Sequence, residues 1–198
     1  MCRDIAKKAL IILLITIATL GTVKGENHNP STTTVAFGAY ELSDGEDSIS
    51  GNQYSIGLSI PINQQWAYHL KLSSGSASGS ATDELGNNYS LKAETNTLSA
   101  GIKWNWVIKK IPWMIPYLSG GLGLQKYDYE FTNPDSIIGS TSGVGYGPLA
   151  SIGMRFRISR NLTIIPGYHY SSFSITAHSG EQVGITSSGT SVALIFAF

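Results

Sequence analysis

Apolar and polar side chains alternate one by one through most of this chain, and a period of two leaves few folds open. Tyr54, Ile56, Leu58 and Ile60 alternate with Ser55, Gly57 and Ser59. Trp66, Tyr68, Leu70 and Leu72 alternate with Ala67, His69, Lys71 and Ser73. The same pattern sets Leu98, Ala100, Ile102, Trp104 and Trp106 against Ser99, Gly101, Lys103 and Asn105. It sets Leu118, Gly120, Leu122 and Leu124 against Ser119, Gly121, Gly123 and Gln125. Ala150, Ile152, Met154, Phe156 and Ile158 oppose Ser151, Gly153, Arg155 and Arg157, and Val192, Leu194, Phe196 and Phe198 share one face of a final segment. Successive side chains of an extended strand point to opposite faces, so each segment is a strand with one apolar and one polar face. Two further segments are less regular. Thr32 to Leu42 has no winning parity, and Leu162 to Ser171 contains Pro166, which predicts a bulge or a local break because proline donates nothing to a ladder. The total is eight strands.

Only 13% of the residues are charged, against about a quarter in ordinary globular domains. After Gly25 no apolar run is long enough for a membrane helix. Strands with apolar faces and so little charge fit a closed barrel in a membrane, for which an even strand number is the rule. The connections agree. Pro61 to Gln65 and Ser159 to Asn161 are short and Val107 to Pro116 is longer, while the links near Ser43–Gly51, Ser74–Tyr89, Thr132–Ser142 and Ser174–Thr186 are polar and mostly long. Short turns on one side and longer loops on the other are the asymmetry of an outer-membrane barrel. Trp66, Trp104, Trp106 and Trp113 lie beside the short turns, whereas Tyr54, Tyr89, Tyr127, Tyr129, Tyr146, Tyr168 and Tyr170 lie toward the loops, as two aromatic girdles would. A water-soluble barrel would expose the second face instead, but its serine and glycine suit a narrow, filled lumen better than a solubilising exterior. The expected fold is all-β: an eight-stranded antiparallel up-and-down transmembrane β-barrel.

The N-terminus sets the compartment. Arg3, Lys7 and Lys8 precede the uncharged run Ala9 to Leu20, and Val23 and Gly25 occupy the −3 and −1 positions of a cleavage site before Glu26. This is the layout of a secretory signal peptide. The expected organisation is a signal peptide over 1–25, a short segment over 26–31 and the barrel over 32–198, in the bacterial outer membrane. Cleavage leaves nine of thirteen basic and twelve of thirteen acidic residues, a net charge of about −3. That gives no support to a nucleic-acid-binding surface. Cys2, the only cysteine, leaves with the leader, so no disulfide or cysteine-based metal site is expected.

Three segments carry a family resemblance. Val192 to Phe198 looks like the terminal strand signal of outer-membrane proteins, with its final aromatic residue. Pro116 to Gly123 (PYLSGGLG) resembles the mid-barrel strand of the small OmpX, Ail and opacity-protein family. Ile62 to Trp66 and Arg160 to Leu162 resemble that family's periplasmic turns. The resemblance covers nearly the whole mature chain as layout. It implies an eight-stranded barrel whose surface loops, in family members, serve adhesion, serum resistance or stress responses. Expected partners are outer-membrane lipid and lipopolysaccharide, the barrel assembly machinery through the strand ending in Phe198, and a host surface ligand.

Few residues suggest chemistry. The lumen would hold His69, Lys71, Lys103, Arg155 and Arg157, joined by Glu41 if the first strand takes the matching parity. Such charges either pair with neighbours and trapped water, since unpaired burial is costly, or line a narrow, anion-favouring passive pore. His169-Tyr170-Ser171 puts an imidazole and a hydroxyl on one face, where a histidine could act as general base. The pair looks like the His-x-Ser element of the PagL lipid A deacylases, which implies Glu181 as the residue orienting the histidine. Two departures stand against it. That family follows the serine with asparagine where this chain has Ser172, and its pair faces lipid where His169 and Ser171 share parity with Thr163 and Gly167. A bulge at Pro166 would flip the faces. Gly143 to Gly147 precedes a strand and is no phosphate loop. His28, His69 and His178 lack ligand spacing, so neither a metal nor a cofactor is expected. The leading expectation is a non-enzymatic barrel that meets an envelope or host surface through the Ser76–Tyr89 and Thr132–Ser142 loops. A PagL-like deacylase and a passive pore are the alternatives.

Overall fold

The computed structural model describes residues 31–44, 48–82, 88–133, 136–159, 162–177, 180 and 182–196. The signal peptide, His28, His178, Glu181 and Phe198 lie outside the described residues. The strands are β1 (Thr32–Ser43), β2 (Ser48–Pro61), β3 (Trp66–Thr82), β4 (Asn88–Asn105), β5 (Met114–Asn133), β6 (Ser136–Arg157), β7 (Leu162–Ala177) and β8 (Gln182–Phe196). Each pairs antiparallel with the next, and β8 pairs with β1 to close the barrel. Stepping across paired residues from Thr32 through Ser59, His69, Gly101, Gly121, Leu149, Ser171 and Ser187 returns to β1 at Leu42. That stagger tilts the strands by about 40° from the axis and leaves an interior that side chains fill.

The short-turn end is pinned by local chemistry. Asn63 Oδ1 accepts from the amides of Gln65 and Trp66, both at 2.8 Å, an Asx turn joining β2 to β3. Ser159 Oγ accepts from Leu162 N at 3.1 Å at the start of β7.

An apolar belt circles the outside, from Trp66, Trp104 and Phe156 near the turns up to Leu98, Leu124 and Tyr170. It covers roughly nine residues of each tilted strand, or about 25 Å of height, the thickness of an outer-membrane barrel's apolar band. The strands do not stop there. A spanning strand needs about 9–11 residues, whereas β5 has 20 and β6 has 22. Above the belt the outward side chains turn polar: Asn52, Ser74, Ser76, Lys92, Glu94, Lys126, Asp128, Ser174 and Thr176.

The interior inverts at the same level. Beside the belt it is polar, with Ser55, Ser73, Thr97, Ser99, Ser119, Gln125 and Ser151. Above, it is a buried apolar cluster of Tyr40, Leu42, Ile49, Ala77, Leu91, Ala93, Tyr129, Phe173, Ile175 and Ile185. The lower barrel is therefore apolar outside and largely polar inside, apart from a small buried cluster of Ile165, Ala193 and Ile195 with Ala36 and Tyr117, and the upper barrel is the reverse. Interior glycines make the packing possible in so narrow a space. The Tyr40 ring lies across Gly75, and Tyr117 lies across the facing pair Gly153 and Gly167, where any β-carbon would displace it.

This inversion corrects several expectations. Most of Ser74–Tyr89 and Thr132–Ser142 is strand: β3 runs to Thr82, β4 starts at Asn88, and only residues 134–135 separate β5 from β6. On β3 the polar residues Ser74, Ser76, Ser78 and Ser80 are the outer face, and their small neighbours Gly75, Ala77 and Gly79 face the apolar cluster. Glu41 points outward above the belt, so it does not join the lumen charges. Tyr89, Tyr127 and Tyr129 belong to the interior cluster and not to a girdle. Pro166 breaks the ladder without a bulge: β6–β7 pairing skips Met154, Arg155, Ile165 and Pro166, yet Gly153↔Gly167 and Phe156↔Ile164 keep one register. The faces beyond it are not flipped. The register shift that does occur lies at Phe131/Thr132, near the outer end of β5.

Candidate functional site

Two regions hold the residues of interest: the polar lumen beside the belt and the outer end above it. The lumen comes first because its charges are enclosed. Inward parity places His69 and Lys71 from β3, Lys103 from β4, Arg155 from β6 and His169 from β7 inside. Lys103 is 8% exposed, and its Nζ sits 4.1 Å from the centroid of the Tyr117 ring, a cation–π contact. His69 lies over Gly57, whose missing side chain leaves room for the imidazole. Arg157 stands apart, exposed at the turn-end mouth.

The compensation these cations need does not come from carboxylates. Of the acids among the described residues, Glu41, Glu94, Asp128 and Glu130 face outward, and Asp44 lies at the outer end beside Leu42 and Ile49, above the apolar cluster. The ion pairs Lys92–Glu94 (3.3 Å) and Lys126–Asp128 (2.7 Å) are also on the outside. The neutral polar groups of the lumen bond one another instead. Ser119 Oγ and Ser151 Oγ are 2.6 Å apart, Gln125 Nε2 donates to Thr97 Oγ1 at 3.2 Å, and Ser99 Oγ donates to the Lys71 carbonyl at 3.3 Å.

His169 and Ser171 share the interior face of β7, while Tyr168 and Tyr170 are exposed on the belt. Neither ring nitrogen of His169 has a hydrogen-bond partner among the described residues, so the imidazole does not hold the Ser171 hydroxyl. Both residues are turned away from the belt that would meet an acyl chain.

At the turn end Trp66 and Trp104 are cross-strand partners with ring centroids 6.3 Å apart, and Trp104 stacks on Trp106 at 6.0 Å. Trp113 lies 6.3 Å from Phe156. These two groups of rings edge the belt on that side. Sequence reasoning missed the other boundary, the apolar cluster that roofs the polar lumen. Its signal was the inward parity of Leu91, Phe173, Ile175 and Ile185, apolar residues on the face that is polar lower down.

A family model described as outer membrane protein beta-barrel domain matches residues 10–196. Among solved structures, Neisserial surface protein A is 14% identical, with a TM-score of 0.54 over 85% of this chain and 97% of that one. Ail, the attachment invasion locus protein of Yersinia pestis, is 15% identical, with a TM-score of 0.50 over 84% and 97%. The outer membrane protein OprG from Pseudomonas aeruginosa is 9% identical, with a TM-score of 0.56 over 85% and 94%. At such identities the likeness is one of fold. No curated protein matches the sequence.

Proposed function

Because this chain belongs to the outer membrane protein beta-barrel domain family, a group of bacterial outer-membrane barrels, we propose that it is a non-enzymatic surface protein whose outer end contacts an envelope component or a host surface. The observation that carries the proposal is the overrun of the strands. A barrel that only had to span the membrane could end where the belt ends. Here the long strands continue as a second, water-exposed storey packed around its own apolar core. Extending ordered strands costs backbone entropy, and the return is a rigid stalk that holds the strand connections away from the lipid. The attachment role in the name of the Ail neighbour is in keeping with such a stalk.

In this reading residues 1–25 are the leader removed on export, the Trp edge and Tyr168 and Tyr170 anchor the belt at the interfaces, and β8 is the strand offered to the assembly machinery. The contact surface is the tips over 83–87 and 134–135 with the flanking ends of β3, β4, β5 and β6. Replacing both tips by short Gly-Ser turns is expected to reduce whole-cell binding to host monolayers or matrix to the level of cells lacking the protein. The barrel should still run as a folded, heat-modifiable band on gels. Undiminished binding by a correctly folded variant refutes the proposal.

The deacylase reading draws no support from the site, since its pair faces the lumen and is not hydrogen-bonded. The lipid A mass profile is therefore expected to be the same with the protein, without it, and with His169→Ala. Loss of an acyl chain only with the intact protein would make it a hydrolase. The pore reading meets the apolar roof, through which an ion would have to pass without water.

A further inference from the structure

The cationic lumen has a shape as well as a charge. Beneath the apolar roof lies a cavity of about 70 Å³ whose walls include His69, Lys71, Lys103, His169, Ser119 and Ser151. It adjoins a second of about 50 Å³ that shares His69, Lys71 and both serines. Space of that size holds several waters or one small ion. Lys103 also lines a third cavity, of about 230 Å³, with Arg155 and Arg157 at the turn end. Lys103 is the one wall residue this cavity shares with the first, and the two upper cavities are closed above by Phe173 and its neighbours.

We propose that the two upper cavities, around His69, Lys71 and His169, form a binding site for a small inorganic oxyanion of the phosphate class. Two independent observations converge on it. One is charge: two lysines and an arginine enter the barrel, and no carboxylate among the described residues lies below the roof. Lipid surrounds the barrel here, so a counter-charge outside the wall is no substitute for one in the lumen. The other is unspent hydrogen bonding: both ring nitrogens of His169, which lines both upper cavities, are buried without a partner among the described residues, as is Arg155 Nε at the turn-end cavity. Buried polar atoms of native proteins rarely stay unbonded, and an exception needs a cause such as an ion. The donors stand on β3, β4, β6 and β7, so they reach the cavity from several walls. An oxyanion offers several acceptor oxygens to such a set, whereas a halide offers a single centre. The site is independent of the surface function and stands or falls separately from it.

The test is equilibrium dialysis of the folded mature barrel in detergent micelles against ³²P-labelled inorganic phosphate, at constant ionic strength made up with a bulky organic anion. Saturable binding of about one phosphate per barrel is expected, with Lys71→Met weakening it about tenfold, or ~1.4 kcal/mol. Lys126→Met, on the outer face, should bind as the parent does. If Lys71→Met does not fold, Lys103→Met, on the neighbouring wall of the same cavity, carries the same test. Non-saturable uptake by the parent barrel, or equal binding by the parent and the folded lumen variant, overturns the proposal.

Discussion

Truncating Phe173 to alanine is expected to lower the unfolding free energy of the folded barrel by about 3–5 kcal/mol, read from urea titrations in lipid vesicles. Phe173 is 1% exposed and sits at the underside of the apolar cluster, where the polar lumen begins. Its ring edge lies at van der Waals distance from where a β-carbon at Gly123 would stand, a place Leu149 fills, and its backbone crosses directly against Gly147. The β6–β7 ladder is already interrupted there, passing from Tyr146↔Ser174 to Leu149↔Ser171 without the two pairs between. The ring packs across the lumen toward β5 beside a stretch where the β6–β7 ladder is interrupted, and the closed wall has little means of collapsing into the gap it would leave. Ser172→Ala, one residue away on the outer face, should change stability by less than about 0.5 kcal/mol. The same substitution has a second readout. If the cluster closes the lumen, the parent barrel gives no stable conductance steps in planar bilayers and Phe173→Ala gives brief ones. Steady conductance by the parent barrel refutes the closed-roof reading, and a stability loss below about 1 kcal/mol would mean that Phe173 is not part of a close-packed core.

The same boundary explains what could and could not be read from the chain. Alternation is a property of the backbone, so it was visible wherever the two faces differ in character: Leu98 to Trp106 could hardly be anything but a strand. What alternation does not carry is which medium each face meets, and that changes along the length of one strand. On β3 the outward series runs Trp66, Tyr68, Leu70 and Leu72 and then Ser74, Ser76 and Ser78. Once the outward residues are serines and the inward ones are Gly75, Ala77 and Gly79, hydropathy contrast vanishes and the segment reads as a loop. Parity leaves Glu41 open for the same reason, since an outward carboxylate is excluded within the belt and welcome above it. Tyr89, Tyr127 and Tyr129 were misread differently. An amphipathic ring fits an interface or a core equally well, and only parity decides; Tyr127 and Tyr129 share theirs with the inward Gln125. The inward lysines were legible from parity alone, but their isolation was not, because it depended on which way β1 turned Glu41. For the outer surface the limit is chemical: residues such as Ser76 and Asn96 carry no signature of what they touch.

Leu122→Arg tests the belt itself and is expected to cost about 2–4 kcal/mol in lipid vesicles, the penalty of a cation at the middle of the apolar band. Leu122 is 69% exposed, flanked on the neighbouring strands by Ala100 and Pro148 at mid-belt. In a water-soluble barrel a leucine so exposed could become arginine at a cost within about 0.5 kcal/mol of zero. The two media therefore predict different outcomes for one substitution. Glu130→Arg, also outward on β5 but above the belt, should be near neutral, within roughly 0–1 kcal/mol. The gradient between positions eight residues apart on one strand face is more decisive than either value, because it locates the edge of the hydrocarbon. A flat response would mean that the outer face meets the same medium from Leu122 to Glu130, and the inversion of polarity would lose its physical cause. A steep one fixes the level at which the barrel leaves the membrane, and with it the length of stalk that carries the strand tips toward a partner.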